Sequence, residues 1–127
     1  MKKKKIALRY RTPLTPLRGD VKVVTLFKEN DLNKILKHQK RSRSTINLLF
    51  ISPWDDHCTT LVDQINTKYC GGEEDAREVV YIVNSYSMPH SFVIFNSSKV
   101  PQLVRLEGEK VLTEDFLPVI NQFFGLE

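Results

Sequence analysis

The sequence predicts a single α/β domain with a mixed β-sheet flanked by helices, and two observations support this class. The first is size, since 127 residues, 41% of them hydrophobic, are enough for one domain with one core. The second is pattern, since short β-rich runs alternate with segments whose apolar residues recur at helical spacing. The predicted order of elements is β-α-β-α-β-β-β-α.

The predicted domain begins with a strand and a short helix. Residues 21–27 are β-rich and alternate in part between apolar and polar positions, which is typical of a strand. Leu32, Ile35 and Leu36 then share one helical face amid polar residues, which predicts a short amphipathic helix.

A central strand and a second helix follow. Residues 46–51 form an almost continuous apolar run, which is typical of a strand covered on both faces. The next segment has apolar residues at helical spacing, and Gly71 and Gly72 are expected to end that helix. The residues of its apolar face are Cys58, Leu61, Val62, Ile65 and Tyr69.

Three strands and a closing helix complete the prediction. We expect the strands at residues 79–83, 91–95 and 102–106. The closing helix is expected to begin near Asp115, because Pro118 is tolerated only within the first turn of a helix. Its apolar residues are Phe116, Ile120, Phe123 and Phe124.

The net charge of +4 hides an uneven distribution. Residues 1–45 contain 14 of the 19 Lys and Arg residues and only three acids. Residues 46–127 contain the other five basic residues and 12 acids. The chain is therefore a basic front joined to an acidic body, and we expect the two parts to have different roles.

Residues 1–20 are predicted to be an extended basic arm outside a folded domain of residues 21–127. Pro13 and Pro16 disfavour a helix, and residues 1–19 carry seven basic residues and no acid. Such an arm binds RNA or DNA phosphates or another acidic surface, or it is a solvated tail for solubility or targeting. The basic residues expected to bind, from the arm and from the segment at 40–45, are Lys2, Lys3, Lys4, Lys5, Arg9, Arg11, Arg18, Lys40, Arg41 and Arg43.

The sequence predicts an intracellular protein that is not secreted. The lysine run at 2–5 resembles the start of a signal peptide, but only three apolar residues follow it before Arg9. Two cysteines do not make a disulfide scaffold, and no apolar stretch approaches the roughly 20 residues of a membrane span. Cytoplasm, nucleus and an organelle interior are not separated by these features.

Two motifs resemble those of the thioredoxin family, and the resemblance covers about residues 21–126. The strand at 46–51 is followed by Trp54-Asp55-Asp56-His57-Cys58, and Pro89 precedes the apolar run at 91–95. In the family, a Trp-Cys-Gly-Pro-Cys segment holds the redox pair, and a cis-proline before a later strand faces that pair. The resemblance implies a thioredoxin-like fold whose site contains Trp54, Asp55, Cys58 and Pro89.

The chain departs from the family pattern in two places. Asp55 stands where the family has its nucleophilic cysteine, so only Cys58, at the resolving position, remains. Five residues, 84–88, separate the strand at 79–83 from Pro89, and thioredoxins place a helix in that segment. We therefore expect this helix to be missing and one face of the sheet to be partly uncovered, which would invite a partner or an oligomer.

Cys58 is predicted to be a buried core thiol, because it shares the apolar helix face with Leu61 and Val62. Asp55 keeps the negative charge and the capping hydrogen bonds of a helix N-terminus but lacks the nucleophilicity of a thiolate. A disulfide between Cys58 and Cys70 is disfavoured, since the predicted helix separates them by about 18 Å and a disulfide requires Cα atoms within roughly 7 Å. Cys70 is expected to be the more exposed thiol.

Neither a metal nor a cofactor is expected. A site formed by Asp55, His57, Cys58 and His90 is disfavoured, because His57 and Cys58 are adjacent on a helix and point about 100° apart. Trp54 is interpreted either as a surface anchor for a protein partner or as a cover over the end of the central strand.

The resulting hypothesis is a thioredoxin-like domain without dithiol redox activity. It would act as a protein-binding or assembly module in a larger complex, with the basic arm contacting RNA or DNA. The alternative hypothesis is a single-cysteine thiol-disulfide oxidoreductase or a thiol-dependent chaperone that acts through Cys58 or Cys70.

Overall fold

The computed structural model describes residues 21–42, 45–69, 78–107 and 110–126. Within these ranges the chain forms five strands and four helices. In chain order they are β1 (Val21–Thr25), α1 (Glu29–Ser42), β2 (Thr45–Ile51), α2 (Asp56–Lys68), β3 (Glu78–Asn84), α3 (Pro89–Ile94), β4 (Gln102–Glu107), β5 (Lys110–Asp115) and α4 (Val119–Phe124).

The five strands form one mixed sheet in the order β1-β3-β2-β4-β5. Strands β1, β3 and β2 are parallel, whereas β4 runs antiparallel to β2 and β5 antiparallel to β4. The chain therefore leaves β1, β2 and β3 at the same edge of the sheet, which we call the carboxyl edge. Strand β4 enters the sheet at this edge, because Phe50 near the end of β2 pairs with Gln102 at the start of β4.

Helices cover both faces of the sheet, and each face has its own core. One core contains α2 and α4 residues, including Ile65 and Phe123, packed against Leu49 of β2. The other contains Leu32 of α1 and Phe50 of β2. Full burial of a side chain of this size contributes about 1.5–3 kcal/mol, so the alternation of Leu49 and Phe50 in β2 fixes its register.

The predicted α/β class and mixed sheet are confirmed, but the predicted element order is wrong in one segment. Residues 91–95 were expected to form a strand, whereas Pro89–Ile94 form helix α3. Proline suits the first turn of a helix, and the aromatic rings of this segment pack on the sheet. The Phe92 and Phe95 ring centroids lie 5.1 and 5.4 Å from that of Phe50.

Helix α3 also corrects the expectation that this helix is missing and its sheet face partly uncovered. The sheet residues on that face, such as Leu48 and Phe50, are fully buried. The apolar side chains left exposed there belong to α3 itself, since Val93 and Ile94 are exposed to solvent.

The end of the chain contains a strand that the sequence pattern did not predict. Strand β5 is an edge strand with mostly exposed residues, and its pairing with β4 shifts register between Arg105 and Leu106. Helix α4 consequently begins at Val119, not near Asp115, and Pro118 stands at its N-cap.

Two hydrogen bonds join the ends of α2 and α4. The Tyr69 hydroxyl donates to the Phe124 carbonyl at 2.8 Å, and Lys68 Nζ donates to the Gly125 carbonyl at 2.9 Å. Gly125 has a φ of +67°, a left-handed conformation that glycine adopts without strain and that ends the helix. Among the described helices, none is long and apolar enough to cross a membrane.

Candidate functional site

The candidate site lies at the carboxyl edge, where α2 begins. Asp55 has an extended backbone, with φ −98° and ψ 122°, and its side chain accepts a hydrogen bond from the Cys58 amide at 3.0 Å. The Asp55 carbonyl accepts from the Thr59 amide at 3.0 Å. Asp55 is therefore the N-cap of α2, and Asp56 adds a second carboxylate to the positively polarised first turn.

Cys58 is completely buried, as the apolar face of α2 predicted. It packs in the same core as Leu61 and Ile65 and has no solvent exposure. Burial raises the pKa of its thiol from 9.0 to about 11, because desolvation disfavours the charged thiolate. A hydrogen bond with the Ser52 backbone acts in the opposite direction, whereas the Asp55 carboxylate raises this pKa further.

The Asp55 carboxylate therefore has two effects on this segment. It satisfies the Cys58 amide, a role that stabilises the helix. It also places a negative charge next to Cys58, which disfavours a second negative charge on the thiol. Asp55 therefore cannot act as a sulfur nucleophile, and the Cys58 thiol stays protonated at neutral pH.

Trp54 is a surface residue and does not cover the strand end. Its side chain is 73% exposed. The Trp54 ring meets the ring of Tyr86, which follows β3 and is 70% exposed, at a centroid distance of 5.5 Å and an angle of 78°. Of the two interpretations of Trp54, its exposure favours the surface anchor.

The structure places the cis-proline at a different position from the one expected. The cis peptide bonds among the described residues are Val100–Pro101 and Leu117–Pro118, so Pro89 is not the cis-proline. Pro101 directly precedes Gln102 of β4 and so lies at the carboxyl edge beside the end of β2. The segment at 100–106, an X-Pro before an apolar strand, also fits the family pattern that was assigned to residues 88–95.

Pro89 instead begins α3, and a distant carboxylate caps that helix. Glu29, the first residue of α1, accepts hydrogen bonds from the His90 amide at 2.7 Å and the Ser91 amide at 3.2 Å. The Ser91 hydroxyl also donates to Glu29. Met88 at the N-cap makes no side-chain capping bond, so Glu29 supplies the acceptor.

The histidines do not build a metal site with Cys58. His57 and His90 are exposed, whereas Cys58 is buried. Within the part of the chain that the structure describes, no three His, Cys, Asp or Glu side chains are grouped to hold a metal ion.

Most of the predicted basic binding residues lie outside the described residues. This holds for the whole arm, Lys2 to Arg18, and for Arg43. Lys40 and Arg41 lie in the last turn of α1, where the structure describes the backbone alone. Cys70 also lies outside the described ranges.

Several residues of this region were not predicted from the sequence. Tyr86 and Phe27 are exposed aromatic residues that each lie two positions past the end of a strand. The available signal was the position of Tyr86 just past the β-rich run at 79–83, whereas Phe27 was counted within the run at 21–27. Pro101 was overlooked because Pro89 matched the same pattern. No local signal pointed to Glu29, because its partners are more than 60 residues away.

The described architecture is a thioredoxin-like fold, and comparison with solved structures gives the same result. Thioredoxin O1 of Arabidopsis thaliana matches with a TM-score of 0.63 and 14% identity over 83% of this chain and 94% of its own. Thioredoxin O2 of the same plant matches with a TM-score of 0.61 and 19% identity over 84% and 91%. Schistosoma mansoni thioredoxin gives 0.58 and 18% over 75% and 82%.

Sequence comparisons add no closer relationship. No protein-family model matches the chain, and no curated protein matches it significantly. At identities below 20%, the structural likeness establishes the fold and leaves the function to be argued from the residues of this chain.

Proposed function

We propose that this protein is a thioredoxin-fold binding module that does not catalyse dithiol-disulfide exchange. The observation that carries the proposal is the state of the α2 N-terminus. Asp55 occupies the capping position, and the cysteine three residues later is completely buried with a thiol pKa of about 11. Exchange needs an exposed thiolate and a second thiol to release the mixed disulfide, and the described site has neither.

The binding role is supported by what the same edge exposes. Trp54 and Tyr86 present large aromatic surfaces to solvent next to the start of α2. Aromatic residues of this kind are enriched among those that contribute most to protein–protein binding. We therefore assign the carboxyl edge as the protein-binding surface and a larger assembly as the setting in which it acts.

A disulfide-reduction assay tests the loss of redox activity. We expect the wild-type chain to reduce insulin no faster than the uncatalysed reaction with dithiothreitol. Asp55→Cys restores two cysteines three residues apart at a helix N-terminus, so this variant should reduce insulin measurably. Asp55→Asn, which keeps the cap without a thiol, is the matched control. Wild-type activity that Cys58→Ser abolishes would instead establish the single-cysteine oxidoreductase.

The basic arm supplies the second half of the proposal, a contact with RNA or DNA. Its support is the charge distribution, with seven basic residues and no acid in residues 1–19. If all seven met phosphates, the logarithm of the affinity for duplex DNA would fall with the logarithm of salt with a slope of about −6. Deletion of residues 1–20 should remove most of this binding, and equal binding by the truncated chain would refute this half.

A further inference from the structure

Three exposed aromatic residues mark the carboxyl edge, one after each parallel strand. Phe27 follows β1, Trp54 follows β2 and Tyr86 follows β3, with exposures of 67, 73 and 70%. We call these three residues the aromatic edge. Because β3 lies between β1 and β2 in the sheet, Tyr86 follows the strand that separates the other two.

Contacts between the loops hold this edge together. Trp54 and Tyr86 are in ring contact at 5.5 Å. The segment after Phe27 is tied to the segment after Tyr86, because Glu29 accepts the hydrogen bonds of the His90 and Ser91 amides. Three large aromatic residues exposed on one edge of a small domain indicate an interaction surface, and their framework is already formed.

The charges at the Trp54 end favour a cationic occupant. Asp55 and Asp56 directly follow Trp54 at the start of α2, and the one basic residue next to the aromatic edge in sequence, Lys28, lies at the Phe27 end. The faces of Trp and Tyr rings attract Lys and Arg side chains, and adjacent carboxylates strengthen that attraction. A basic, partly apolar peptide segment fits this combination of aromatic faces and acids.

The chain itself contains such a segment, and it is long enough to reach this edge. Residues 1–20 combine seven basic residues with Ile6, Leu8 and Tyr10. They join the domain at Val21, at the start of β1, and β1 spans about 17 Å to the carboxyl edge. Twenty extended residues span up to about 66 Å, so the arm can return along the domain with length to spare.

We propose that the aromatic edge is the docking site of the chain's own basic arm, residues 1–20. The inference deepens the proposed binding role of this surface, because it names an occupant held at high effective concentration by its own linkage.

Trp54 is the single tryptophan of the protein, so tryptophan fluorescence reports on this site alone. The test measures how strongly acrylamide, an uncharged quencher, quenches Trp54 fluorescence. It compares the wild-type chain with a full-length variant in which the seven Lys and Arg residues of the arm are replaced by glutamine. We expect the quenching constant of the wild type to be at least about twofold lower than that of the glutamine variant. In about 0.5 M NaCl, where charges are screened within a few ångströms, it should rise to the variant's value.

Two substitutions on α2 sharpen the test. Asp56→Asn removes a carboxylate beside Trp54 and should increase quenching in the wild-type background. Asp63→Asn is the matched control, because Asp63 is an exposed acid of the same helix about two turns away, and it should change nothing. An increase caused equally by both variants would refute a local contact.

Two further outcomes overturn the proposal. Equal quenching of the wild type and the glutamine variant at low salt would mean that the arm does not cover Trp54. If the lower quenching of the wild type disappears on dilution, Trp54 is covered by the arm of a second copy of the chain. The insulin assay and partner binding are separate measurements, so their failure would leave the quenching difference unchanged.

Discussion

The reactivity of Cys58 is predictable from its burial and its pKa. The Cys70→Ser variant leaves Cys58 as the one cysteine of the chain, so any thiol reaction reports on it alone. At pH 7 a thiol with pKa 9.0 is about 10⁻² ionised, whereas one with pKa about 11 is about 10⁻⁴ ionised. The hundredfold loss of thiolate is partly offset, because a thiolate that is two pKa units more basic is about tenfold more nucleophilic.

Ionisation therefore slows Cys58 only about tenfold, and burial supplies the rest. With no solvent exposure, the sulfur reacts only when the start of α2 opens. We expect dithionitrobenzoate to react with native Cys70→Ser at least about 100-fold more slowly than with the same variant unfolded in guanidinium chloride. A native rate within about tenfold of the unfolded rate would show that the thiol is accessible and would refute the argument.

Three further predictions concern stability. Glu29→Ala should destabilise the protein by about 1–2 kcal/mol in urea denaturation, because it removes the acceptor that caps α3. Tyr69→Phe should cost a similar amount, because it leaves the buried Phe124 carbonyl without its 2.8 Å donor. The raised pKa of Cys58 means that the folded state holds this proton more tightly than the unfolded state, so stability should fall between pH 9 and about pH 11, by at most about 3 kcal/mol.

The first and the third of these predictions each have a control. Asp31 is an exposed acid in the same first turn of α1 as Glu29, and Asp31→Ala should have little effect. Burial also raises the pKa values of Tyr69 and Tyr81, so part of the alkaline loss is theirs. The Cys58 share is the part that disappears in Cys58→Ala, and a pH profile unchanged by that substitution would contradict its assigned pKa.

The sequence predicted the strands and helices whose patterns arise from burial on the sheet. The apolar run of β2 and the helical spacing of Cys58, Leu61 and Ile65 reflect direct packing into the core, so periodicity located them. Strand β5 has exposed residues and little apolar pattern, because it lies at the edge of the sheet. Its place depends on pairing with β4, which local sequence does not encode.

Helix α3 was misassigned for a related reason. Its six residues are too few to reveal a helical period, and the apolar residues from Phe92 to Phe95 look like a buried strand. What makes them helical is tertiary, namely the Glu29 carboxylate at the helix start and the Phe50 ring beneath it. The same error led to the wrong cis-proline. Because a strand was predicted directly after Pro89, Pro89 was taken as the cis-proline in place of Pro101.

The features of the candidate site also differ in whether local sequence or tertiary structure determines them. The capping role of Asp55 and the burial of Cys58 follow from local helix geometry, and both were predicted. The contact of Trp54 with Tyr86 depends on the neighbouring strands β2 and β3 ending at one edge, which only the sheet order establishes.

Partner binding by a cysteine-free chain distinguishes binding through the carboxyl edge from binding through a thiol. The variant Cys58→Ala with Cys70→Ser has no thiol. In co-purification from native extract after nuclease treatment, we expect this variant to retain the same proteins as the wild type, whereas Trp54→Ser should lose them. Partners that are lost from the cysteine-free chain and kept by Trp54→Ser would show that the protein binds through a thiol and not through its carboxyl edge.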